Sequence, residues 1–351
     1  MKTKNVAVIF GGVSSEHEVS IRSAIYIIDA IAKMPEYQAV PVYIDKTGQW
    51  NIPMDYHSIQ SSADDFISMD PNYLVGPYSF ISGTKTIKDA SSGEEIELDI
   101  AFPITHGTNG EDGSLQGLLQ LCEIPYVGPK VAGSSIAMDK DIAKRLLIKA
   151  GVNVAKSITV REVDDISYDN VKTDLGEVVF VKPCRQGSSV GVNKATDAIS
   201  FKKALESAFE HDSKVMIEEA IVGRELEVAV MEKNGKLITS GAGEIYPPEE
   251  GYTFEEKYED TSQTDTAIPA EISDDNLKEI QGAAVKACRA LECFSMSRVD
   301  FFLSEEKGLI LNEINTLPGF TSISMYPRLF EAAGMSAKEL VKNLIEGASW
   351  R

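Results

Sequence analysis

The first third of the chain switches between the two-residue period of a strand and the wider period of a helix. Residues 5–10 form a short apolar run that stops at Gly11 and Gly12, as a buried strand would. Residues 20–33 then carry Ile21, Ala24, Ile25, Ile28, Ile31 and Ala32 at helical spacing. Residues 39–44 and 98–104 read as further strands, and the alternation predicts an open, mostly parallel α/β sheet. Residues 51–92 are polar, with scattered Gly and Pro, and show no clear period. Helices are expected over 114–121 and 138–150, the second ending before Gly151. The middle of the chain predicts strands at 178–182 and 214–219 around a helix near 198–209. Strands follow at 226–231 and 237–242, then a polar loop over 244–266, a helix over 275–291 and a last helix over 336–345. A loop that long, with no period, points to function rather than scaffold.

Two strand-like runs, 297–303 and 309–315, flank a turn-forming stretch at 305–308. If those four residues form the loop, Asp300 lies across from Glu313. Asn315 is two residues further on and shares their face. Two carboxylates that close repel unless a cation sits between them. Hard oxygen ligands, with no His or Cys among them, point to Mg²⁺, which uses one or two carboxylates together with substrate phosphates. The hairpin therefore suggests an enzyme acting on a nucleoside triphosphate. A solvated acidic face would explain the same residues.

Composition narrows the picture. The chain has 351 residues, enough for two or three domains, and 43% hydrophobic content, enough for real cores. Its formal net charge of −20 argues against general binding to nucleic acid or to an anionic membrane. Cys122, Cys184, Cys288 and Cys293 have no zinc-like or CxxC spacing and read as reduced thiols of a cytoplasmic protein. The first apolar run is too short for a signal peptide, and no apolar stretch is long enough to span a membrane.

Five more motifs carry candidate chemistry. GGVSSEHEVS at 11–20 follows the first strand, where a glycine turn into a helix can bind an anion. It lacks the GxGxxG spacing of a dinucleotide site. Glu16 there would suit a substrate ammonium, although capping of the helix by Ser14 or Ser15 is a sufficient explanation. THGTNGEDGSLQG at 105–117 places His106, Glu111 and Asp112 in a strand-end loop, which could equally be a plain glycine turn. VKPCRQGSSVGV at 181–192 ends a strand with Lys182 and continues into a small flexible loop whose N–H groups could cover a triphosphate. It is not a Walker loop. EEAIVGRELEVAV at 218–230 contains Glu225, which could accept bonds from a ribose or simply be solvated. Lys257 and Tyr258, in YTFEEKYED, would suit a lid that closes over phosphate and excludes water.

Together these motifs resemble the D-alanine–D-alanine ligases of the ATP-grasp superfamily. GGVSSEHEVS, HGTNGEDGSLQG, MDK, KPCRQGSSVG, EKY, RVDFF and NEINTLPGFTSISMYP occur in the family order over nearly the whole chain. The resemblance implies three domains: an N-terminal open parallel sheet of Rossmann-like kind over 1–129, a central α+β ATP-grasp domain over 130–221, and a C-terminal one over 222–351. The last would carry the lid loop 244–266 and the metal hairpin 297–315. The resemblance also implies roles. Lys140 and Lys182 would hold ATP phosphates, with Ser189 in the covering loop. Glu218, Glu219 and Ile221 would lie at the adenine and Glu225 at the ribose. Asp300, Glu313 and Asn315 would bind two Mg²⁺, which Mn²⁺ could replace. Glu16 would receive the ammonium of the first D-alanine, with His106 nearby. Ser188 would link Glu16 to Tyr258, and Lys257 would reach the transferred phosphate. Arg298 and the Gly319 N–H would stabilise the oxyanion, and Ser324 would hold the second substrate's carboxylate.

The implied reaction is ATP-dependent joining of two D-alanines through an acyl phosphate, for peptidoglycan precursor synthesis. A cytoplasmic homodimer is implied as well. The alternative is joining D-alanine to D-serine or, less readily, to D-lactate, as in glycopeptide-resistance ligases. Tyr258 argues against lactate. The FEEKY wording also resembles D-serine ligases, but those tend to have SRYP where this chain has SMYP. Met325 is apolar and suits a methyl side chain, although an apolar pocket rejects an added hydroxyl only weakly. A glutathione-synthetase-like ligase would not carry the HEVS, HGxxGEDG and KY motifs together. A non-catalytic binding module would have no reason to keep Lys182, Arg298, Asp300, Glu313 and Asn315.

Overall fold

The structure is a computed structural model that describes residues 2–54, 74–246 and 265–349. The chain opens with β1 (Lys4–Gly11), α1 (His17–Ala32), β2 (Tyr37–Ile44), β3 (Trp50–Pro53) and β4 (Leu74–Val75). A small antiparallel sheet follows, made of β5 (Tyr78–Ile81), β6 (Thr86–Asp89) and β7 (Glu95–Glu97), before β8 (Ile100–Pro103). The first sheet has the order β4-β3-β2-β1-β8. β1 pairs in parallel with both β2 and β8, and the β3–β4 edge is antiparallel. The predicted parallel sheet is therefore its centre.

Some predicted boundaries shift. α1 begins at His17 rather than Ser20, because Glu16 and not a serine occupies the cap. β8 begins at Ile100, since the Leu98 N–H is already bonded to the Lys85 carbonyl. The aperiodic 51–92 stretch contains the short strands β3 to β6, and its residues 55–73 lie outside the described residues.

α2 (Ser114–Leu121), α3 (Val131–Met138) and α4 (Lys140–Lys149) come next. The helix expected over 138–150 thus starts two residues later, at Lys140, and α3 before it was not expected. Asp139 adopts an extended backbone, and its side chain accepts from the Ile142 N–H, which starts α4 afresh. β9 (Ser157–Val160), α5 (Tyr168–Leu175), β10 (Val179–Pro183), β11 (Asn193–Ala195), α6 (Ala198–Phe209) and β12 (Val215–Glu219) build an antiparallel sheet of order β11-β10-β12-β9.

The last sheet is β15-β14-β13-β16-β17. It consists of β13 (Arg224–Lys233), β14 (Lys236–Tyr246), β15 (Asp265–Ala267), β16 (Met296–Ser304) and β17 (Gly308–Asn315), with α7 (Asp274–Ala290) against one face. The long polar loop is shorter than expected at both ends. Glu244 to Tyr246 continue β14, Asp265 and Thr266 belong to β15, and 247–264 lie outside the described residues. The chain ends in α8 (Met325–Ala332) and α9 (Ala337–Glu346).

The two ends of the chain share a core. One apolar cluster joins β1, α1 and β8 to Leu317, Phe320, α8 and α9. Phe320 is fully buried, with ring centroids 5.8 Å from Tyr26, 5.9 Å from Phe102 and 5.3 Å from Tyr326. Its N–H donates to Ser23 Oγ at 3.0 Å. Phe320→Ala should cost about 3–5 kcal/mol of stability, the usual cost of emptying an aromatic site. A urea denaturation curve reads this directly, and an unchanged midpoint would show that Phe320 does not hold the two ends together.

Candidate active site

β16 and β17 place Asp300 opposite Glu313, as the sequence suggested. The route differs. The loop is one residue shorter than expected, with Ser304 already paired to Gly308, and a bulge between Phe301 and Asp300 restores the count. Without it, a three-residue loop would set Asp300 against Asn312 and turn Glu313 away. Asn315 shares the face: its Nδ2 donates to Asp300 Oδ2 at 2.9 Å. Arg298 donates to the same carboxylate from Nε (2.8 Å) and Nη2 (2.7 Å). Its Nε also lies 3.0 Å from Glu227 Oε2. Glu227 was not among the expected site residues. The available signal was its position two residues after Glu225 on a strand, which puts both on one face.

Beside the hairpin sits a second cluster of charge. Glu218, on β12, is buried with one carboxylate oxygen on Lys144 and the other on Lys182. Burial pushes the Glu218 carboxyl up, but the two ammonium groups outweigh it and leave it below the ordinary carboxylate value. Burial pushes Lys144 down, and its Nζ also donates to the Ala155 carbonyl at 2.8 Å. Lys144 is a second residue that sequence reading missed. It is a lysine in a mixed helical pattern, and only the fold buries it.

Lys140 opens α4, and its Nζ donates to the Gln186 carbonyl at 2.6 Å. Desolvation lowers its pKa, while the nearby Glu313 opposes that shift. Glu219 faces away from this cluster. It accepts from Lys307 Nζ at 2.5 Å and from the Lys156 N–H at 2.8 Å. Ile221 is half-buried in the connection to β13.

A third group comes from the N-terminal sheet. Gly11 has φ +87°, and a Cβ there would stand 2.2 Å from the Ile44 carbonyl oxygen, so the turn after β1 requires glycine. The serine cap open to the sequence is not made: Glu16 holds the cap position with no side-chain cap bond and lines the cavity. His106 is buried and its Nδ1 bonds the Leu317 carbonyl at 2.8 Å, while its Nε2 has no hydrogen-bond partner among the described residues. Glu111 accepts from the N–H groups of Gly107 and Leu317, each at 2.9 Å. Burial pushes the Glu111 carboxyl up, against the pull of His106.

Across from these, Ser188 and Ser189 hold the left-handed φ values of 51° and 59°, a strained loop for residues with a Cβ. Ser188 Oγ is buried with no hydrogen-bond partner among the described residues, and Ser189 is exposed. Ser324 Oγ accepts from the Thr321 N–H at 3.0 Å, and a Cβ on Gly319 would lie 2.9 Å from it. Met325 opens α8, is buried, and packs against Gly243.

A cavity of about 700 Å³ unites much of this. Its lining includes Glu16, His106, Ser188, Glu225, Glu227, Arg298, Asp300, Glu313, Asn315, Gly319, Ser324 and Met325. Lys140, Lys182 and Glu218 stand outside that lining, with Lys140 in the field of Glu313. Lys257 and Tyr258 lie outside the described residues. No group of three or more His, Cys, Asp or Glu that could hold a metal occurs among the described residues; the hairpin offers the smaller set of two carboxylates and an amide.

Sheets and cavity together define an α/β enzyme of ATP-grasp architecture, and solved structures agree. A D-Ala:D-Ser ligase, VanG, from Enterococcus faecalis superposes with a TM-score of 0.86 at 34% identity, covering 98% of this chain and 99% of that one. The D-alanine–D-alanine ligase from Coxiella burnetii gives a TM-score of 0.84 at 33% identity, covering 98% and 94%. Residues 5–129 match the family model for the D-ala D-ala ligase N-terminus and residues 146–346 that for its C-terminus. A D-alanine–D-alanine ligase of Oceanobacillus iheyensis is 45% identical over 98% of this chain and 94% of its own length. D-alanine–D-alanine ligase A of Escherichia coli K12 is 42% identical over 99% and 96%. The chain belongs to the D-alanine–D-alanine ligase family, whose members are ligases that form a carbon–nitrogen bond.

The base of the long loop gives a pH test. Glu244 is buried and accepts from Arg224 Nε (2.7 Å) and Nη2 (2.6 Å) and from the Tyr246 hydroxyl (2.9 Å). The Arg224 bonds hold its carboxyl below the ordinary value of 4.5. A depressed carboxylate stabilises the fold fully above its unfolded value and loses that contribution as pH falls through the folded one. The stability gap between the wild type and Glu244→Gln should therefore shrink as urea midpoints are followed from about pH 6 to pH 3. A gap independent of pH would contradict this.

Proposed function

We propose that this cavity joins two D-alanines at the expense of ATP, through an acyl phosphate, to supply a peptidoglycan precursor. The observation that carries the reading is one cavity lined at once by Glu16, by Arg298 with Asp300 and Glu313, and by Gly319 with Ser324. Those are an ammonium acceptor, an anion-handling centre and a carboxylate site, which is what ligation of two amino acids needs.

The hairpin suits divalent cations. Its donors are hard oxygens on paired strands, and Asp300 already accepts a guanidinium in the place of other positive charge. When bound there, two Mg²⁺ ions would neutralise phosphate charge during transfer. Lys140 and Lys182 hold the phosphates, and the ion pair with Glu218 aims the Lys182 ammonium. Residues 218–221 border the adenine, with Ile221 and the backbone of Glu219 as the contacts. Glu225 accepts from the ribose, and the loop N–H groups around Ser189 cover the phosphates.

Glu16 binds the ammonium of the first D-alanine beside His106. The carboxylate oxygen of that D-alanine takes the γ-phosphoryl group as its bond to the β-phosphate oxygen breaks and ADP is left, which turns a poor electrophile into a reactive one. The amine of the second D-alanine then attacks that carbonyl carbon. Arg298 and the Gly319 N–H stabilise the oxyanion, the C–N bond forms, and inorganic phosphate leaves. Ser324 holds the second carboxylate. The orphan Ser188 hydroxyl supports the proposed link from Glu16 to Tyr258, and with Lys257 that link would close the lid against water.

We divide the chain into domains at 129/130 and 221/222, a division that keeps each sheet within one unit. No helix among the described residues is long and apolar enough to cross a membrane, and all four cysteines are free and buried. We place the enzyme in the cytoplasm on the cysteines and on its nucleotide substrate. The homodimer rests on the resemblance alone.

Met325 favours alanine over serine as the second substrate, because an apolar wall leaves a serine hydroxyl without a partner. The D-Ala:D-Ser neighbour keeps the second reading in view. Phosphate release with ATP, Mg²⁺ and D-alanine, followed by mass identification, should yield D-alanyl-D-alanine. D-serine added in equal amount should enter only a minor product. A dominant D-alanyl-D-serine product would reverse the choice, and no D-alanine-dependent turnover would overturn the function. Glu313→Gln should lower kcat on the order of a hundredfold or more, since several kcal/mol of charge stabilisation depend on it. Unchanged kcat would remove Glu313 from the metal site.

A further inference from the structure

Three carboxylates stand in a row across three strands of the last sheet. Glu227 on β13 is paired with Asp300 on β16, which is paired with Glu313 on β17. Neighbours in such a row lie roughly 5 Å apart. All three share the cavity face, because the residues between them, Leu226 and Val228 on β13 and Val299 and Phe301 on β16, enter the apolar cluster on the other side. Glu227 is buried, and a buried carboxylate is retained only where a cation meets it. One cation it meets is Arg298, whose Nε lies 3.0 Å from Glu227 Oε2.

Arg298 therefore stands between Glu227 and Asp300. Both Asp300 oxygens accept its N–H groups, so the carboxylate that should bind a divalent cation is occupied by a guanidinium. With Asn315 Nδ2 also donating to Oδ2, three of the roughly four acceptor sites of Asp300 are taken, so a cation that uses both oxygens needs Arg298 to give way. Giving it up with no other anion in reach would leave a largely buried guanidinium uncompensated.

We propose that Glu227 is a positioning residue that receives Arg298 when Asp300 turns to the divalent cation. It then holds Nε, so that the Nη atoms are free to face the substrate carbonyl. A third metal carboxylate is not the better reading, since no three-acid metal group forms among the described residues. The proposal rests on reading Asp300 as a metal ligand and Arg298 as the oxyanion donor.

The experiment is a Mn²⁺ titration in the presence of ADP, with free Mn²⁺ read by electron paramagnetic resonance. It is run on the wild type, Glu227→Gln, Arg298→Met, the double variant and Asp300→Asn. Glu227→Gln should weaken Mn²⁺ binding about fivefold, within the range that contacting charged groups reach in double-mutant cycles. The same substitution in the Arg298→Met background should have no effect, because the competitor for Asp300 is gone. Glu227→Asp, which keeps the charge, should fall between Glu227→Gln and wild type, and Glu227→Gln should lower kcat more than it raises the KM for D-alanine.

Equal weakening in both backgrounds would mean a plain through-space charge effect and would overturn the proposal, as would no weakening in either. Asp300→Asn separates the two levels of inference. If it binds Mn²⁺ as the wild type does, the reading of the metal site itself fails. If it binds weakly while Glu227→Gln binds normally, only the role of Glu227 is lost.

Discussion

Side chains on a strand alternate between two faces, so a slip of one residue between β16 and β17 would exchange the cavity face for the apolar one. Asp300, Glu313 and Asn315 share a face only in the register observed. Two things hold that register. Val299, Phe301, Leu309, Leu311 and Ile314 must stay in the cluster under α7, and the bulge absorbs the residue that the short loop does not. The same cluster that stabilises the sheet thus decides where its acids point. Arg298 and Glu227 inherit their positions from the register, since β13 pairs with β16 residue for residue over this stretch.

A cavity and surroundings that collect so much charge have to pair it. Glu218 is divided between Lys144 and Lys182, Asp300 is held by Arg298, and Glu111 is held by backbone N–H groups from both ends of the chain. These pairs do more than remove a penalty. Glu218 fixes a lysine at the end of β10, and Glu111 with His106 ties the loop after β8 to Leu317, just beyond the hairpin. Phe320 completes that tie with an apolar contact. Glu16, proposed as the ammonium acceptor, follows a strand of the first sheet and Arg298, proposed as the anion site, lies on the last, and this stitching is what sets one against the other.

Much of this was legible in the sequence, for physical reasons. A period of two is enough to put Asp300, Glu313 and Asn315 together, and the first strand, the turn at Gly11 and the helix after it follow from period and punctuation. The structure reached the Asp300–Glu313 pair by a shorter loop and a bulge, which residue counting cannot distinguish from a longer loop. What failed were features decided by tertiary contacts. Lys144 sits in a helix that looks solvated until β12 brings Glu218 against it. α8 carries Pro327 in its first turn, where proline is tolerated but where the sequence shows no clear helix start. The helix start at Asp139 was readable as a capping residue, followed by Lys140 and Asp141, and was hidden only by the apolar run that precedes it. Glu227 needed only the alternation already applied to Glu313 and Asn315, carried on from Glu225.

The most direct measurement is the location of the divalent cations. Crystals grown with Mn²⁺ and a non-hydrolysable ATP analogue would give anomalous density. The account predicts peaks at roughly 2 Å from the carboxylate oxygens of Asp300 and Glu313 and from the Asn315 amide oxygen, the range of small hard cations. Peaks held only by nucleotide phosphates, or by carboxylates elsewhere, would contradict a site built by the register of this hairpin.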